Sequence, residues 1–329
     1  MPTFKIPTAI SFSGCGFIGV YHIGLVRCLQ IYGKQVIPHI TKYGGASAGS
    51  LAAAVFAICP HKVLECKKLV YDLGEQVRKT RFGALNTGFN LSEHVEKLVD
   101  SVLPADAHEL ANDRVFISVT RKSCGKNFII SRYESRSELI QCLVSSSHIP
   151  FYSGSKYPIF RGEKYYDGGF TDNLIDFKKE ETIYVTPFAG GQTYICPDDP
   201  ITSFNYTVKN QNFCLNINNL ARGFDALRPP SSKALETYYE QGFVDGLRYL
   251  AKLSKGNSSV FELPFGNVNP RTRDILLNSV ANSRFRPTRS RASTKVSNSS
   301  QVSVRYKRKR SLKGKVENKD QVQKTEALI

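Results

Sequence analysis

The most informative turn in this chain reads Gly45-Ala46-Ser47-Ala48-Gly49. Its G-x-S-x-G spacing is typical of a sharp turn from a strand into a helix, at which a serine hydroxyl is presented outward. A short apolar segment, Ile40 to Gly45, precedes the turn, and an alanine-rich segment, Ser47 to Ile58, follows it. Small residues can also mark a tight helix contact, but this strand and helix context favours a nucleophile elbow.

A second glycine-rich turn, Ser13-Gly14-Cys15-Gly16-Phe17-Ile18-Gly19, lies upstream. A predicted strand, Ala9 to Phe12, leads into it, and a predicted helix, Ile18 to Tyr32, leads out. Backbone N–H groups in such a turn can stabilise an oxyanion. The spacing also fits a dinucleotide-binding loop, which requires an acidic residue about 20 positions further on. Residues 33–44 contain no Asp or Glu, so this alternative is disfavoured.

The third motif, Asp167-Gly168-Gly169, supplies a carboxylate beside two glycines. Asp-Gly is a common turn dipeptide, so a purely structural role is the alternative. None of the six histidines stands late in the chain, where a Ser-Asp-His order would need it; His148 is the least implausible triad member. A Ser47–Asp167 dyad is the simpler hypothesis, in which burial raises the pKa of the base towards working pH.

The remaining pattern predicts alternating strands and helices, and hence a mostly parallel sheet covered by helices. The further elements predicted are a helix over 92–103, strands Val115 to Thr120 and Asn127 to Ser131, a helix Glu134 to Ser145, a strand Thr182 to Val185 and a helix Ala234 to Leu253.

Composition restricts the class of protein. The 329 residues are 41% apolar, which supports a real core. The eight cysteines show no C-x-x-C spacing, which argues against a zinc site and a disulfide scaffold and fits a reducing compartment. No signal peptide is indicated, and the longest apolar run, Leu51 to Cys59, is far shorter than the ~20 residues of a membrane-spanning helix. We therefore expect a cytoplasmic protein that meets membranes peripherally and needs no metal or cofactor.

The positive charge is concentrated at the C-terminal end. Residues 281–329 hold 14 Lys and Arg against 3 Asp and Glu, a net +11 of the chain's +17. This composition predicts a disordered tail. Its densest basic cluster is a candidate for binding anionic lipid, with a solvated tail or a nuclear or nucleic-acid role as alternatives; few aromatics make nucleic acid the least favoured. The cluster consists of Arg305, Lys307, Arg308, Lys309 and Arg310.

With these residues in view, the chain resembles the patatin-like phospholipase family, in particular its adipose triglyceride lipase and adiponutrin branch. The resemblance is carried by the glycine turn over 13–22, the elbow over 43–49 and the aspartate block over 166–174. It extends from about residue 8 to about residue 253. The domains expected are a catalytic domain over 1–180, an extension of it over 181–280 and the tail over 281–329.

The resemblance implies a three-layer α/β/α fold and a Ser-Asp dyad without histidine. It assigns Ser47 as nucleophile and Asp167 as base. The supporting backbone positions it implies are the oxyanion donors Gly14, Cys15 and Gly16, the elbow glycines Gly45 and Gly49, and the turn glycines Gly168 and Gly169.

The resemblance also implies neutral acylglycerols as substrates, chiefly triacylglycerol cleaved to diacylglycerol and fatty acid. It further implies lipid droplets or membranes as the location and activation by an α/β-hydrolase-like coactivator protein. Ile18 stands where many family members carry Arg or Lys, which removes a charge that could help to bind phospholipid. The alternatives are a phospholipase A, a retinyl-ester hydrolase, an acylglycerol transacylase, and a non-catalytic lipid-surface scaffold that binds the coactivator.

Overall fold

The structure is a computed structural model that describes residues 5–256, except 82, 86, 87, 192, 193, 200–204, 209 and 210. Its contacts divide the chain into two units, Met1–Arg284 and Phe285–Ile329. The predicted disordered tail over 281–329 and its basic cluster lie outside the described residues. The predicted boundary at residue 180 stays a prediction.

The described residues form ten strands, eight of which belong to one sheet. In chain order the strands are β1 Ala9–Phe12, β2 Lys42–Ala46, β3 Val115–Arg121, β4 Asn127–Ile130, β5 Ile159–Phe160, β6 Glu163–Asp167, β7 Thr182–Val185, β8 Tyr194–Ile195, β9 Asn205–Val208 and β10 Gln211–Cys214.

The main sheet is parallel at its centre and antiparallel at one side. Hydrogen-bonded strands follow one another along the path β5-β6-β3-β2-β1-β7-β8, and β4 is also paired to β3. The pairs β3–β2, β2–β1, β1–β7 and β7–β8 are parallel, whereas β4 and β6 are antiparallel to β3. β9 and β10 form a separate antiparallel pair. The predicted mostly parallel sheet is therefore confirmed.

Helices flank this sheet, as predicted. They are α1 Val20–Tyr32, α2 Ala48–Ile58, α3 Val63–Lys79, α4 Leu91–Val102, α5 Ala107–Ala111, α6 Arg136–Ser146, α7 Ile217–Leu227 and α8 Ser232–Gly256. The helix predicted from Ile18 begins at Val20 because residues Gly16–Gly19 form a 3₁₀ turn. Three of these helices, α3, α5 and α7, are not among those predicted from the sequence.

The core lies along the central strands. All four residues of β1 are buried, as expected for a parallel strand covered on both faces. α1 packs against α8 through close backbone contact, because a Cβ at Gly24 would overlap the Tyr239 carbonyl. The Tyr21 hydroxyl donates to Asp245 on α8 at 2.7 Å in the interior of this contact. Among the described helices, none is long and apolar enough to cross a membrane.

Candidate active site

Sheet register brings the elbow serine and the aspartate together. β2 ends with Ala46 opposite Ser118 of β3, and β6 ends with Asp167 opposite Val119. β4 pairs with residues 117–120 of β3, a segment that includes residues paired to β2 and residues paired to β6. β4 therefore occupies one edge of this segment. β2 and β6 must therefore share the other edge of β3, where they run towards each other. Ser47 follows the end of β2, so the two side chains that the sequence singled out meet head to head.

The turn at Ser47 has the strained backbone of an elbow. Its φ of 53° and ψ of −130° lie in a region that non-glycine residues rarely occupy. Such strain persists only where the surroundings enforce it, and it clusters at functional sites. A Cβ at Gly45 would overlap the backbone of Gly49, and a Cβ at Gly49 would overlap the Phe12 carbonyl. Both glycines are therefore required by close backbone approach.

A neighbouring serine on α6 anchors the elbow. The Ser47 backbone N–H donates to Ser146 Oγ at 2.9 Å, and the Ser146 hydroxyl donates to the Ser118 carbonyl at 2.7 Å. Ser146 thereby ties the turn to β3 at the position where the two candidate residues meet. This role of Ser146 is not predicted from the sequence. The only signal was a run of three serines at 145–147, just before His148.

Asp167 is a buried carboxyl held by backbone contacts. Gly169 N–H donates to its Oδ1 at 2.7 Å, and its own N–H donates to the His148 carbonyl at 2.8 Å. Burial raises the pKa of Asp167 from 3.8 to about 6, while hydrogen bonds from the Ser47 side chain and the Gly169 N–H act to lower it. The carboxyl is thus a base that is ionised at neutral pH yet binds a proton readily.

We expect the pH profile of ester hydrolysis to follow the ionisation of the Asp167 carboxyl. Asp167 accepts a proton only when ionised, so kcat/KM should fall about tenfold per pH unit below its pKa of about 6 and reach a plateau above it. The measurement is kcat/KM on a water-soluble ester between pH 4.5 and 8.5. A plateau that extends unchanged to pH 4.5 would contradict the role of Asp167 as base.

The glycine turn lies directly against the serine. A Cβ at Gly14 would lie 3.0 Å from the Cβ of Ser47. The Gly14 N–H already donates to Asn173 Oδ1 at 2.9 Å. No hydrogen bond between described residues uses the N–H groups of Cys15 or Gly16, which open the 3₁₀ turn. These two backbone N–H groups are therefore available to donate hydrogen bonds to an oxyanion.

Asn173 links the glycine turn to the aspartate block. Besides accepting from Gly14, its amide donates to Gln211 Oε1 at 2.6 Å, and Gln211 donates to Thr186 Oγ1 at 2.6 Å. Asn173 lies within the aspartate block over 166–174, but no role is predicted for it from the sequence. Its position inside that block was the only sequence signal, because its hydrogen-bond partners lie far apart in the chain.

Two buried histidines support the site without entering the dyad. His22 Nε2 lies 2.8 Å from the Ser13 carbonyl and 3.2 Å from Cys15 Sγ, beneath the glycine turn. His148 Nδ1 lies 2.9 Å from Ser92 Oγ on α4. Burial lowers the pKa of both rings to about 4, so both are neutral. Within the described part of the chain, no histidine is hydrogen-bonded to the Ser47 or Asp167 side chain.

An apolar cavity of about 180 Å³ opens beside Ser47. It lies among the helices that follow the glycine turn and the elbow, and α3 and α4 form its far walls. Among the described residues, its polar lining consists of a few hydroxyl-bearing and sulfur-bearing side chains, and none of the described lining residues is charged. The branched aliphatic side chains of the wall are Ile23, Val26, Leu51, Val55, Val63, Leu69, Val70, Leu73, Leu91, Val95, Leu98, Val99, Val102 and Ile149.

The site residues offer no ligand set for a metal ion. Among the described residues, no group of three or more His, Cys, Asp or Glu side chains is close enough to hold one. Cys15, the cysteine within the glycine turn, is buried, and burial raises the pKa of its thiol well above the ordinary range. The groups at hand for chemistry are therefore a hydroxyl, a carboxyl and backbone amides.

Comparisons with known proteins agree on one family. A family model described as patatin-like phospholipase matches residues 10–175. Human patatin-like phospholipase domain-containing protein 4 is 35% identical over 243 residues, which cover 74% of this chain and 96% of that protein. Mouse patatin-like phospholipase domain-containing protein 2 is 41% identical over 246 residues, which cover 74% of this chain and 50% of that protein.

A further relative carries a different activity in its name. Human 1-acylglycerol-3-phosphate O-acyltransferase PNPLA3 is 36% identical over 247 residues, which cover 74% of this chain and 50% of that protein. The matched region thus spans nearly all of one relative and about half of the two others. Among solved structures, VipD from Legionella pneumophila aligns with a TM-score of 0.42 and 12% identity, over 85% of this chain and 74% of that chain.

Proposed function

Because the chain belongs to the patatin-like phospholipase family, we propose that it is a serine acyl hydrolase with Ser47 as nucleophile and Asp167 as general base. The observation that carries the assignment is a strained serine that faces a buried carboxyl beside an uncharged apolar cavity. Both side chains are buried, so the reacting groups are shielded from bulk water. Among the described residues, no histidine is hydrogen-bonded to either side chain, so the carboxyl accepts the proton directly.

Acylation starts with the Ser47 hydroxyl. Its oxygen attacks the ester carbonyl carbon, and its proton passes to the Asp167 carboxylate. The carbonyl oxygen becomes an oxyanion, which accepts hydrogen bonds from the N–H groups of Cys15 and Gly16. The N-terminus of α2, which begins at Ala48, adds a favourable dipole beside the nucleophile. Collapse of the intermediate breaks the C–O bond, and Asp167 returns its proton to the leaving alkoxide.

Deacylation repeats these roles with water. Asp167 takes a proton from a water molecule that attacks the acyl-serine ester, and the same two amides hold the second oxyanion. The fatty acid leaves when the bond to Ser47 Oγ breaks and the serine regains a proton. A residue that serves as base and then as acid works best with a pKa near the working pH, which agrees with the raised pKa of Asp167.

The proposed substrates are neutral acylglycerols, chiefly triacylglycerol cleaved to diacylglycerol and fatty acid. The cavity wall is aliphatic, and none of its described lining residues is a Lys or Arg that could pair with a phosphate. Ile18, at the position where a basic residue is frequent in the family, is fully buried in an apolar cluster with Phe188 and Ala226. The site therefore favours an acyl chain over a charged headgroup, and the protein acts at lipid droplets or membranes.

A second candidate activity is acyl transfer. A relative that is 36% identical is named as an acyltransferase, and an acyl-enzyme on Ser47 can react with an alcohol in place of water. The same dyad would serve a phospholipase A or a retinyl-ester hydrolase. An α/β-hydrolase-like coactivator remains a proposed partner, and a non-catalytic scaffold that binds it is the remaining alternative.

Substrate profiling tests the proposal. Purified protein is assayed for fatty-acid release from emulsified triolein and from phosphatidylcholine vesicles, and for acyl transfer to lysophosphatidic acid, with Ser47→Ala as the matched control. We expect triolein hydrolysis that Ser47→Ala abolishes. Preference for phosphatidylcholine would indicate a phospholipase A, and acyl transfer that exceeds hydrolysis would indicate a transferase. Activity that survives in Ser47→Ala would overturn the catalytic assignment.

A further inference from the structure

The polar face of α7 points into the protein. Arg222 forms an ion pair with Asp199 at 2.6 Å, and both side chains are nearly buried. Asn219 donates to the Ala189 and Cys214 carbonyls at 2.7 and 2.8 Å. On the next turn, Asp225 accepts a hydrogen bond from a tyrosine hydroxyl of α8 at 2.8 Å. These contacts fix the rotation of the helix about its axis.

The apolar face of α7 consequently points into solvent. We define the outer face of α7 as Ile217, Leu220, Phe224 and Leu227. Their spacing of three, four and three residues places them in one stripe, and they are 76%, 71%, 61% and 50% exposed. A helix on the surface of a soluble protein normally buries its apolar stripe and exposes its polar one. α7 does the reverse, and such a patch marks an interaction surface.

α7 lies at the edge of the acyl cavity. Ala226 lines the cavity, and a Cβ at Gly16 would overlap the Ala226 carbonyl, so the helix backbone touches the glycine turn. The Tyr152 hydroxyl, whose ring also lines the cavity, donates to the Leu227 carbonyl. The outer face is therefore carried by the same helix that forms part of the cavity wall.

The charges on the exposed side of α7 suit a lipid surface. Its exposed positions carry no acidic residue, and the cation that follows the helix, Arg228, is exposed with its guanidinium 5.8 Å from the centre of the Phe224 ring. An apolar stripe flanked by a basic residue is the arrangement of helices that lie in the plane of a membrane interface, where long basic side chains reach the headgroups.

We propose that the outer face of α7 inserts into a lipid surface and thereby places the mouth of the acyl cavity against the lipid phase. The inference rests on the proposed function, because the cavity is taken to receive an acyl chain. Continuity with the cavity favours lipid over protein as the occupant: an acyl chain that leaves a lipid layer beside α7 enters the cavity without crossing water. The basic cluster at 305–310 is not needed for this contact.

Two variants of the full chain test the insertion. The chain contains no tryptophan. Phe224→Trp therefore introduces a single tryptophan, whose fluorescence reports on the outer face. The double variant Leu220→Asp with Phe224→Asp places two charges in the stripe. The matched control is Leu64→Asp, at an apolar position that is 47% exposed in the first turn of α3, where a carboxylate is tolerated.

Binding is measured by co-flotation with phosphatidylcholine-coated triolein emulsions and with phosphatidylcholine vesicles, which carry no net charge and so give little attraction to the basic tail. We expect Phe224→Trp to show a blue-shifted emission with these lipids and quenching by brominated chains. The double variant should bind at least about tenfold more weakly, since it removes two apolar side chains from the interface, while Leu64→Asp binds like wild type.

Hydrolysis of a water-soluble ester distinguishes a failure of lipid insertion by α7 from a failure of the proposed catalytic function. We expect the double variant to keep this activity and to lose emulsion hydrolysis. Unchanged lipid binding by the double variant, or no spectral shift in Phe224→Trp, overturns the inference. A change from dimer to monomer in sedimentation velocity with unchanged lipid binding does so too, because it assigns the face to a second copy. Absence of soluble-ester activity in wild type counts against the proposed function, while the fluorescence result still decides the inference.

Discussion

Asp167→Asn is expected to abolish ester hydrolysis and to leave the fold intact or more stable. The amide cannot accept the Ser47 proton, so kcat should fall by roughly four orders of magnitude, the size of effect seen when the base of a comparable nucleophile is disabled. The asparagine oxygen can still accept from the Gly169 N–H, and its amide can donate to the Ser47 hydroxyl. The substitution therefore keeps the shape of the site and removes its charge.

The stability change follows from the pKa of Asp167. Burial raises this pKa from 3.8 to about 6 in the folded protein, so the folded state binds more protons than the unfolded state between these values. Stability consequently falls as pH rises from about 4 to about 6 and stays lower above it. Removing the charge should increase the free energy of unfolding at pH 8 by about 1–3 kcal/mol.

Thermal unfolding at pH 8 and pH 4.5, beside a soluble-ester assay, checks both parts. We expect Asp167→Asn to unfold at a higher temperature than wild type at pH 8, and the difference to shrink at pH 4.5. Loss of activity together with a lower unfolding temperature at pH 8 would mean that Asp167 acts mainly as a structural residue.

Gly49→Ala is expected to destabilise the protein by about 3 kcal/mol or more and to inactivate it, because the added methyl group overpacks the interior. A Cβ at Gly49 would overlap the carbonyls of Phe12 and Ser13, which belong to the backbone between β1 and the glycine turn. These atoms cannot move aside as a flexible side chain would. Relief of the overlap must displace either the elbow or the glycine turn, so we expect activity to fall even in molecules that remain folded.

Gly223→Ala is the matched control, since Gly223 is also a helical glycine. A Cβ there meets no atom within 4 Å. Alanine is a better helix former than glycine, so this variant should be neutral or more stable by up to about 1 kcal/mol. The measurement is urea unfolding of both variants with the soluble-ester assay. Equal stability of Gly49→Ala and Gly223→Ala would contradict the close packing between α2 and β1.

Local patterns in the sequence were sufficient for the strands and helices that carry the motifs. β1 and β7 fall where the sequence predicts them, and the ends of β2 and α2 differ from the prediction by a residue or two at the elbow. α3 was missed although Val63, Leu69 and Val77 belong to an apolar pattern of helical period, so its signal was present. The short strand β8 lacks such a signal and depends on pairing with β7.

The reacting groups of the candidate site were predictable from the sequence, but the residues that position them by hydrogen bonds were not. Ser47 and Asp167 stand in motifs with local turn chemistry. Ser146 and Asn173 act through partners 99 and 159 residues away in the chain, so only the folded topology brings their roles to light. The assignment of Gly14 as an oxyanion donor stays a prediction, and the contact with Asn173 favours Cys15 and Gly16 instead.

α7 shows a different limit of sequence reasoning. Its apolar residues recur at helical spacing, which predicts a helix but also predicts that the apolar stripe is buried. The structure exposes that stripe because Arg222 and Asn219 find better partners inside. Which face of an amphipathic helix turns inward depends on the polar groups available in the rest of the fold, and these lie outside any sequence window.

Reaction with a fluorophosphonate, followed by peptide mass mapping, tests whether Ser47 is a nucleophile that Asp167 activates. This reagent phosphonylates serine hydroxyls that a neighbouring base activates, and the mass of the adduct locates the residue. We expect a single adduct on Ser47 in the wild type, none in Ser47→Ala and strongly slowed labelling in Asp167→Asn. An adduct on another residue, or equal labelling of Ser47 in wild type and Asp167→Asn, would contradict this assignment.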